Sequence, residues 1–279
     1  MAGYKSRWVS RIILHGVLIF LSLLFVAPFF WMLTTAVKPA SEVLVYPPKL
    51  IPSQWHFEIF KEAWQAAPFN RFLLNSIIVT FLGIIGQMFS SAVVAYGFAR
   101  FRFPGRDVLF AIVLATMMIP WDVTMIPQYM LFNKLGWINT LKPLIVPNFF
   151  AAPFFIFLLR QFFLTLPLEL EEAARIDGAN PFQIFVRVML PLAIPALIVV
   201  AVYQLLNAWN DYLGPLIFLN SQENYTLTLG IAQFRGVFNG QTQIRPMMAV
   251  TLLACIPPIV TFFLAQRYFM EGVARTGIK

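Results

Sequence analysis

The chain has 279 residues, 59% of them hydrophobic and 11% charged, and a formal net charge of +8 at pH 7. Soluble domains carry roughly a quarter charged residues, and a soluble core could not hide this much apolar surface, so the expected class is an all-α protein held in a lipid bilayer. The lone cysteine, Cys255, excludes an intrachain disulfide framework, and in such a chain the position of basic residues says more than their sum, so the charge is no sign of a nucleic-acid partner.

Six uninterrupted apolar blocks occupy residues 12–37, 72–99, 108–132, 144–163, 188–206 and 247–266. Each is close to the ~20 residues that a hydrocarbon core of roughly 30 Å requires, which predicts a polytopic protein with six transmembrane helices. The twenty prolines and fourteen glycines predict kinked or broken helices, tolerated in membranes where neighbours satisfy the freed backbone groups.

The N-terminal stretch carries Lys5, Arg7 and Arg11 ahead of the first block. That block exceeds a signal-peptide core of about 7–15 residues and offers no clear small-residue cleavage site, so a retained first helix is expected. Residues 38–71 follow, with Pro39, Pro47, Pro48, Pro52 and Pro68 and the aromatic Trp55 and Trp64; they read as an ordered loop lying near the interface rather than a separate domain. In the third block Asp122 sits beside Pro120 and Pro127. An intramembrane carboxylate reads as a pathway residue and equally as a structural partner at a proline break.

Residues 164–191 join the fourth and fifth blocks. Pro167 suits a helix start, Glu169, Glu171 and Glu172 lie near its positive end, and Gly178 supplies a left-handed exit, predicting a helix over 168–177. Asn180 and Pro181 form an N-cap and first position for a second helix running into the fifth block. Beyond it, Asn207, Asn210 and Asp211 share one polar face near Trp209, which suits a hydroxyl-rich solute, although Asn side chains also join membrane helices. The polar segment 235–245 reads as a connector or as an arm toward a docked partner, and residues 271–279, with Arg275 and Lys279, form a short basic tail.

Lysine and arginine are retained in the cytoplasm. An N-terminus inside places twelve of the twenty basic residues there, among them Arg100, Arg102, Arg106, Arg160, Arg175 and Arg187; both termini are then cytoplasmic. No G-x-x-x-x-G-K-[ST] phosphate loop is present, and His15 and His56 lie far apart, so neither nucleotide hydrolysis nor a metal or nucleophile centre is suggested.

The sequence Glu172-Ala173-Ala174, then Gly178, then Val188-Met189-Leu190-Pro191 resembles the EAA motif of permeases from ATP-binding-cassette importers, with valine where isoleucine is usual. The stretches 101–105, 160–163 and 207–211 resemble the maltose-type carbohydrate branch, and the resemblance covers the whole chain. It implies an N-terminal segment with the first helix and an external loop over 1–71, a permease domain over 72–270 with its EAA loop at about 165–191, and a cytoplasmic tail over 271–279. It also implies that Glu172, Ala173, Ala174, Asp177, Gly178, Leu190 and Pro191 contact an ATPase, and leaves Asp122, Asn207, Asn210 and Asp211 as candidates for the solute pathway. The implied partners are a second homologous permease, two ATPase subunits carrying ATP and Mg, and an extracytoplasmic solute-binding protein, with no cofactor held by this chain. The location implied is a bacterial or archaeal cytoplasmic membrane. A self-sufficient ion-coupled carrier or channel would share the broken helices but has no need of an ATPase-docking loop.

Overall fold

The computed structural model describes residues 2–235, 237, 238 and 241–276, with side chains over 11–235 and 243–266. Two compact units divide the chain, one formed by residues 1–69 and 231–256, the other by 70–230 and 257–279.

In the first unit, α1 (Ala2–Val37) exposes its apolar side chains from Ile12 to Trp31, with Phe20 at 66% and Phe25 at 72%, as a helix immersed in lipid does. Its exit is fixed by polar contacts: buried Lys38 stands over the Trp31 ring at 5.0 Å, Arg245 Nε donates to the Ala36 carbonyl at 3.4 Å, and the His56 amide donates to the Val37 carbonyl. The following proline-rich stretch wraps around Glu42. This carboxylate, 8% exposed, accepts from Lys49 Nζ at 2.7 Å and from the Ser53 amide at 3.1 Å, which pulls its pKa from 4.5 down to about 2, chiefly through Lys49. The stretch is thus ordered, as its composition predicts, and leads into α2 (Ile59–Gln65). The pair β1 (Val237–Phe238) and β2 (Gln241–Thr242) is antiparallel, with Val237 opposite Thr242. Of segment 235–245, Gly236, Asn239 and Gly240 lie outside the described residues, as do 277–279 of the tail.

The second unit takes most of α3 (Phe69–Arg100), then α4 (Arg106–Ala115), α5 (Trp121–Lys134), α6 (Lys142–Ile145), α7 (Pro153–Thr165), α8 (Glu169–Ile176), α9 (Pro181–Ile184), α10 (Leu190–Leu192), α11 (Ile194–Asn210), α12 (Leu213–Phe218) and α13 (Leu227–Ala232). The final helix, α14 (Ile244–Thr276), runs through both units and contains Pro257 and Pro258 where the division falls. It stays helical through Thr276, so most of the predicted tail continues the last helix.

Among the described residues four segments are long and apolar enough to cross a membrane: Arg11–Val37, Phe69–Arg100, Lys142–Thr165 and Ile244–Gln266. The third and fifth blocks are not single helices. Arg106–Met118 and Trp121–Lys134 meet at 95°, and Pro181–Leu192 and Ile194–Asn210 at 75°; counting each bent pair as one span recovers the six expected. The first bend follows from Pro120, which forces Ile119 into extended backbone, φ −83° and ψ 112°. The second falls at Ala193, between Pro191 and Pro195, after a π-helical turn over Phe185–Met189.

Even the fourth span is interrupted, by a 3₁₀ stretch Val146–Phe150 and a turn at Ala151 with φ 48°. The irregular backbone is seated on α3. Ser90 Oγ receives the Ala151 amide at 3.0 Å, and a Cβ added to Gly86 would fall 2.7 Å from the Phe149 ring, so only glycine permits this approach. An apolar cluster including Ala92, Ala95, Phe163, Ile184, Met189, Ala196 and Val200 packs α3, α7, α9 and α11 together. At one end of the unit Asn139, at φ 62°, ties two loops: its Oδ1 accepts from the amides of Asn220 and Ser221 and from Ser221 Oγ at 2.8–3.0 Å.

Glu42 sets a pH dependence. Its folded pKa lies below its unfolded one, so its contribution to loop stability is complete above pH 4.5 and is lost as pH falls toward 2. Limited proteolysis within residues 38–58 should therefore be slow at pH 5 and accelerate as the medium is taken toward pH 2. In Glu42→Gln cleavage should be fast at both; an unchanged profile would remove Glu42 from control of the loop.

Candidate functional site

The loop between α7 and α11 is helix, turn, helix. Three glutamates near the N-terminus of α8 favour its dipole. Its end is a Schellman motif: the Gly178 amide donates to the Arg175 carbonyl at 3.0 Å and the Ala179 amide to the Ala174 carbonyl at 2.9 Å, with Gly178 at φ 84°. A full capping box then opens α9, with the Gln183 amide donating to Asn180 Oδ1 and the Asn180 amide to Gln183 Oε1, both at 2.9 Å. The observed helix is shorter than 168–177 by one residue at each end, with Leu168 rather than Pro167 at its start.

The two faces of α8 differ. Outward lie Glu169, Glu172, Ala173 and Ile176, the last 86% exposed, at the i, i+3, i+4, i+7 spacing of one helical stripe. Asp177 and Pro191 are exposed as well. Inward lies Glu171, 3% exposed, while Ala174 and Leu190 are half-buried against the apolar cluster. The small side chain of Ala174 therefore lets α8 rest on the chain's own core, and of the two motif alanines Ala173 is the one that faces out.

Glu171, which sequence reasoning treated only as a helix-dipole charge, is the anchor of the loop. Arg100 Nε, at the end of α3, stands 2.8 Å from its Oε1, both side chains 4% exposed. Tyr96 Oη donates toward Oε2 at 3.4 Å, and Arg100 Nη2 donates to the Leu166 carbonyl at 2.7 Å. Nearby, the Arg160 guanidinium covers the Phe110 ring at 4.2 Å and donates from Nε to the Phe98 carbonyl at 3.3 Å. These arginines, counted from sequence as orientation signals, also knit helix ends together.

A groove of about 1040 Å³ opens beside the broken spans, lined among others by Trp121, Gln128, Asn148, Asn207, Asn210 and Asp211. Three of the sequence candidates thus converge. Asp122 is exposed and outside the lining, and its neighbour Trp121 takes the place in the groove. Trp209 is buried, its carbonyl accepting from Thr228 Oγ1 at 2.8 Å, so the groove's indole comes from α5 instead. Asp211 serves the fold as well, since its Oδ1 accepts the Gly214 amide at 3.1 Å and caps α12. Asn148 accepts from buried Gln204 Nε2 at 3.0 Å, a polar join between the fourth and fifth spans. The groove brings amide and carboxylate side chains together with apolar ones, and these polar groups are of the kind that pair with hydroxyls. Among the described residues no group of three potential metal ligands gathers.

Comparison with known proteins bears on the family and the fold. The family described as binding-protein-dependent transport system inner membrane component matches residues 88–275. The diacetylchitobiose uptake system permease protein NgcG of Streptomyces coelicolor is 33% identical over 262 residues, covering 94% of this chain and 86% of that one. The arabinooligosaccharides transport system permease protein AraQ of Bacillus subtilis is 33% identical over 274 residues, covering 97% and 96%. Among solved structures, a bacterial ABC transporter involved in the import of the acidic polysaccharide alginate shares the fold, with a TM-score of 0.81 at 24% identity over 95% of this chain and 98% of that one.

A Cβ at Gly178 meets nothing within 4 Å, so the cost of Gly178→Ala is conformational, about 1 kcal/mol. Thermal unfolding of the purified protein should show that loss and a smaller one for Gly178→Asn, which tolerates the left-handed region; equal losses would point to sterics instead of φ.

Proposed function

The chain belongs to the family of binding-protein-dependent transport system inner membrane components, as the permease subunit of an ATP-binding-cassette importer, and we propose that its cargo is a carbohydrate or related polyol. The observation that carries the coupling half of this reading is the outward stripe Glu169, Glu172, Ala173 and Ile176 on a helix whose other face is anchored. The helix projects an acid and a bare aliphatic side chain, both exposed among the described residues, as an element built to enter a cleft on an ATPase subunit would.

The assembly is two permeases, this chain and a homologous one, two ATPase subunits that hold ATP and Mg, and an extracytoplasmic binding protein. The distribution of basic residues supports cytoplasmic termini and a cytoplasmic α8 loop. Transport proceeds by alternating access: closure of the ATPase pair moves α8, and the groove lined by Trp121, Asn207 and Asn210 passes the solute, its oxygens accepting from hydroxyls while the indole face covers an apolar sugar face. That both relatives named above are permeases for oligosaccharides supports the cargo class. A carrier working alone is disfavoured by the Schellman-terminated, uncovered α8.

Two experiments test the reading. Glu172→Lys should cut recovery of the ATPase subunit with the purified chain by the equivalent of roughly 2 kcal/mol of docking energy, while Glu169→Lys, at the edge of the stripe, should cost less than about 1 kcal/mol; equal effects would reduce the role to general charge, and no ATPase with the unmutated chain would end the reading. Asn207→Leu and Asn210→Leu should leave ATPase recovery intact and lower saccharide uptake into reconstituted vesicles several-fold. Unchanged uptake would take the groove out of the pathway.

A further inference from the structure

We infer that Arg100 and Glu171 are positioning residues that latch α8 to the end of α3, so that displacement of α8 is delivered directly to the second span as well as along the chain to α9 and α11. The inference rests on the docking role proposed for α8.

The geometry separates this pair from the other charges of the loop. Glu169 and Glu172 are exposed on the same helix, and α8 already possesses Ala174 as an apolar contact with the core. Attachment alone would be achieved by packing; a buried carboxylate is tolerated only when paired. Here Oε1 lies against Arg100 Nε at 2.8 Å and Oε2 faces the Tyr96 hydroxyl at 3.4 Å, with the exposed Arg175 guanidinium 4.0 Å away. The arginine is held in turn by the Leu166 carbonyl, three residues before α8. Around the pair stand aromatic rings: Tyr96 lies 5.5 Å from Phe101, 5.8 Å from Phe163 and 5.0 Å from Phe185. These rings come from just past α3, the end of α7 and the π-helical turn and pack around Tyr96, while the charged pair itself is 4% exposed on either side.

The consequence is mechanical. α8 cannot lift from α3 without separating a buried charge pair and leaving Arg100 without its carboxylate, so the contact does not yield gradually. Packed cores shift between discrete arrangements rather than deforming continuously, and a charge pair inside one makes the helix and the span move as a unit. Without the latch, α8 would remain tied to the spans by its connections to α7 and α9 and by Ala174 on the apolar cluster, and a pull on it would reach α3 only through those contacts.

The test uses the complete importer, purified through this chain and reconstituted in vesicles with its binding protein. Glu171→Gln keeps the shape and removes one charge. It should leave the ATPase complement and its nucleotide hydrolysis in place while the number of ATP hydrolysed per solute imported rises at least fivefold. A purely structural role would instead lower ATPase recovery, hydrolysis and import in proportion, with the ratio unchanged, and that outcome overturns the latch. Should Glu171→Gln fail to insert, the double variant Arg100→Gln/Glu171→Gln, which strands no charge, reads the same ratio: a raised ratio supports the latch and a wild-type ratio overturns it. Absence of any ATPase with the unmutated chain would defeat the docking role itself, a result separable from failure of the latch.

Discussion

Hydrocarbon offers no partner to a backbone amide or carbonyl, and every departure from helix in this chain is placed under that constraint. The 3₁₀ stretch and the Ala151 turn are seated on Ser90 and Gly86 of α3. The break at Pro120 and the end of α11 border the groove, where polar side chains gather and water can enter. The break at Ala193 sits among apolar neighbours, but the Ala193 amide still donates to the carbonyls of Met189 and Leu190 at 3.0 and 3.1 Å, so the π-helical turn and the bend leave that donor satisfied. In the proposed solute pathway irregular backbone and function would coincide, because a site for a polar solute needs the same polar surroundings that irregular backbone needs.

The same economy governs the charges. Arginine at the end of a span is expected from orientation alone, yet Arg100 and Arg160 are used a second time, as donors to carbonyls freed at helix ends and as partners for Glu171 and the Phe110 ring. Removing one member of a buried pair typically costs about 3–5 kcal/mol because the other is left uncompensated, while replacing both with apolar groups can be neutral. Stability by itself therefore gives little reason to keep the pair, and its directionality gives a better one.

Local chemistry was legible in the sequence and depth was not. Gly178, Asn180 and Gln183 act through residues three to five positions away, so the turn and both caps could be read directly, and the six apolar blocks located the spans. Glu171 and Glu172 are adjacent and chemically identical; which one turns inward depends on where the end of α3 lies, a contact separated by 71 positions in the chain. Trp209 and Trp121 exchange places for the same reason: helical spacing put Trp209 near the asparagines, while the actual lining depends on a 95° bend whose angle no residue pattern states. Prolines announced that spans would break, and only the packing decided how far they turn.

The groove and the α8 loop lie at the two ends of one packed body, and what separates them is close-packed side chains rather than a hinge. α11 begins at the Ala193 break, contributes Ala196 and Val200 to the apolar cluster, and ends at Asn210 in the groove. Along α3, Ala92 and Ala95 join that cluster between Gly86, beside the turn of the fourth span, and Arg100, beside Glu171. A close-packed interior leaves little slack in which a displacement of about a few tenths of an ångström could disappear. A push on α8 must then either shift α3 and α11 together or break contacts on both, and shifting both alters the walls of the groove. On the proposed docking role of α8, coupling of the two ends would run through this continuous packing, with the charged pair bringing α3 into it.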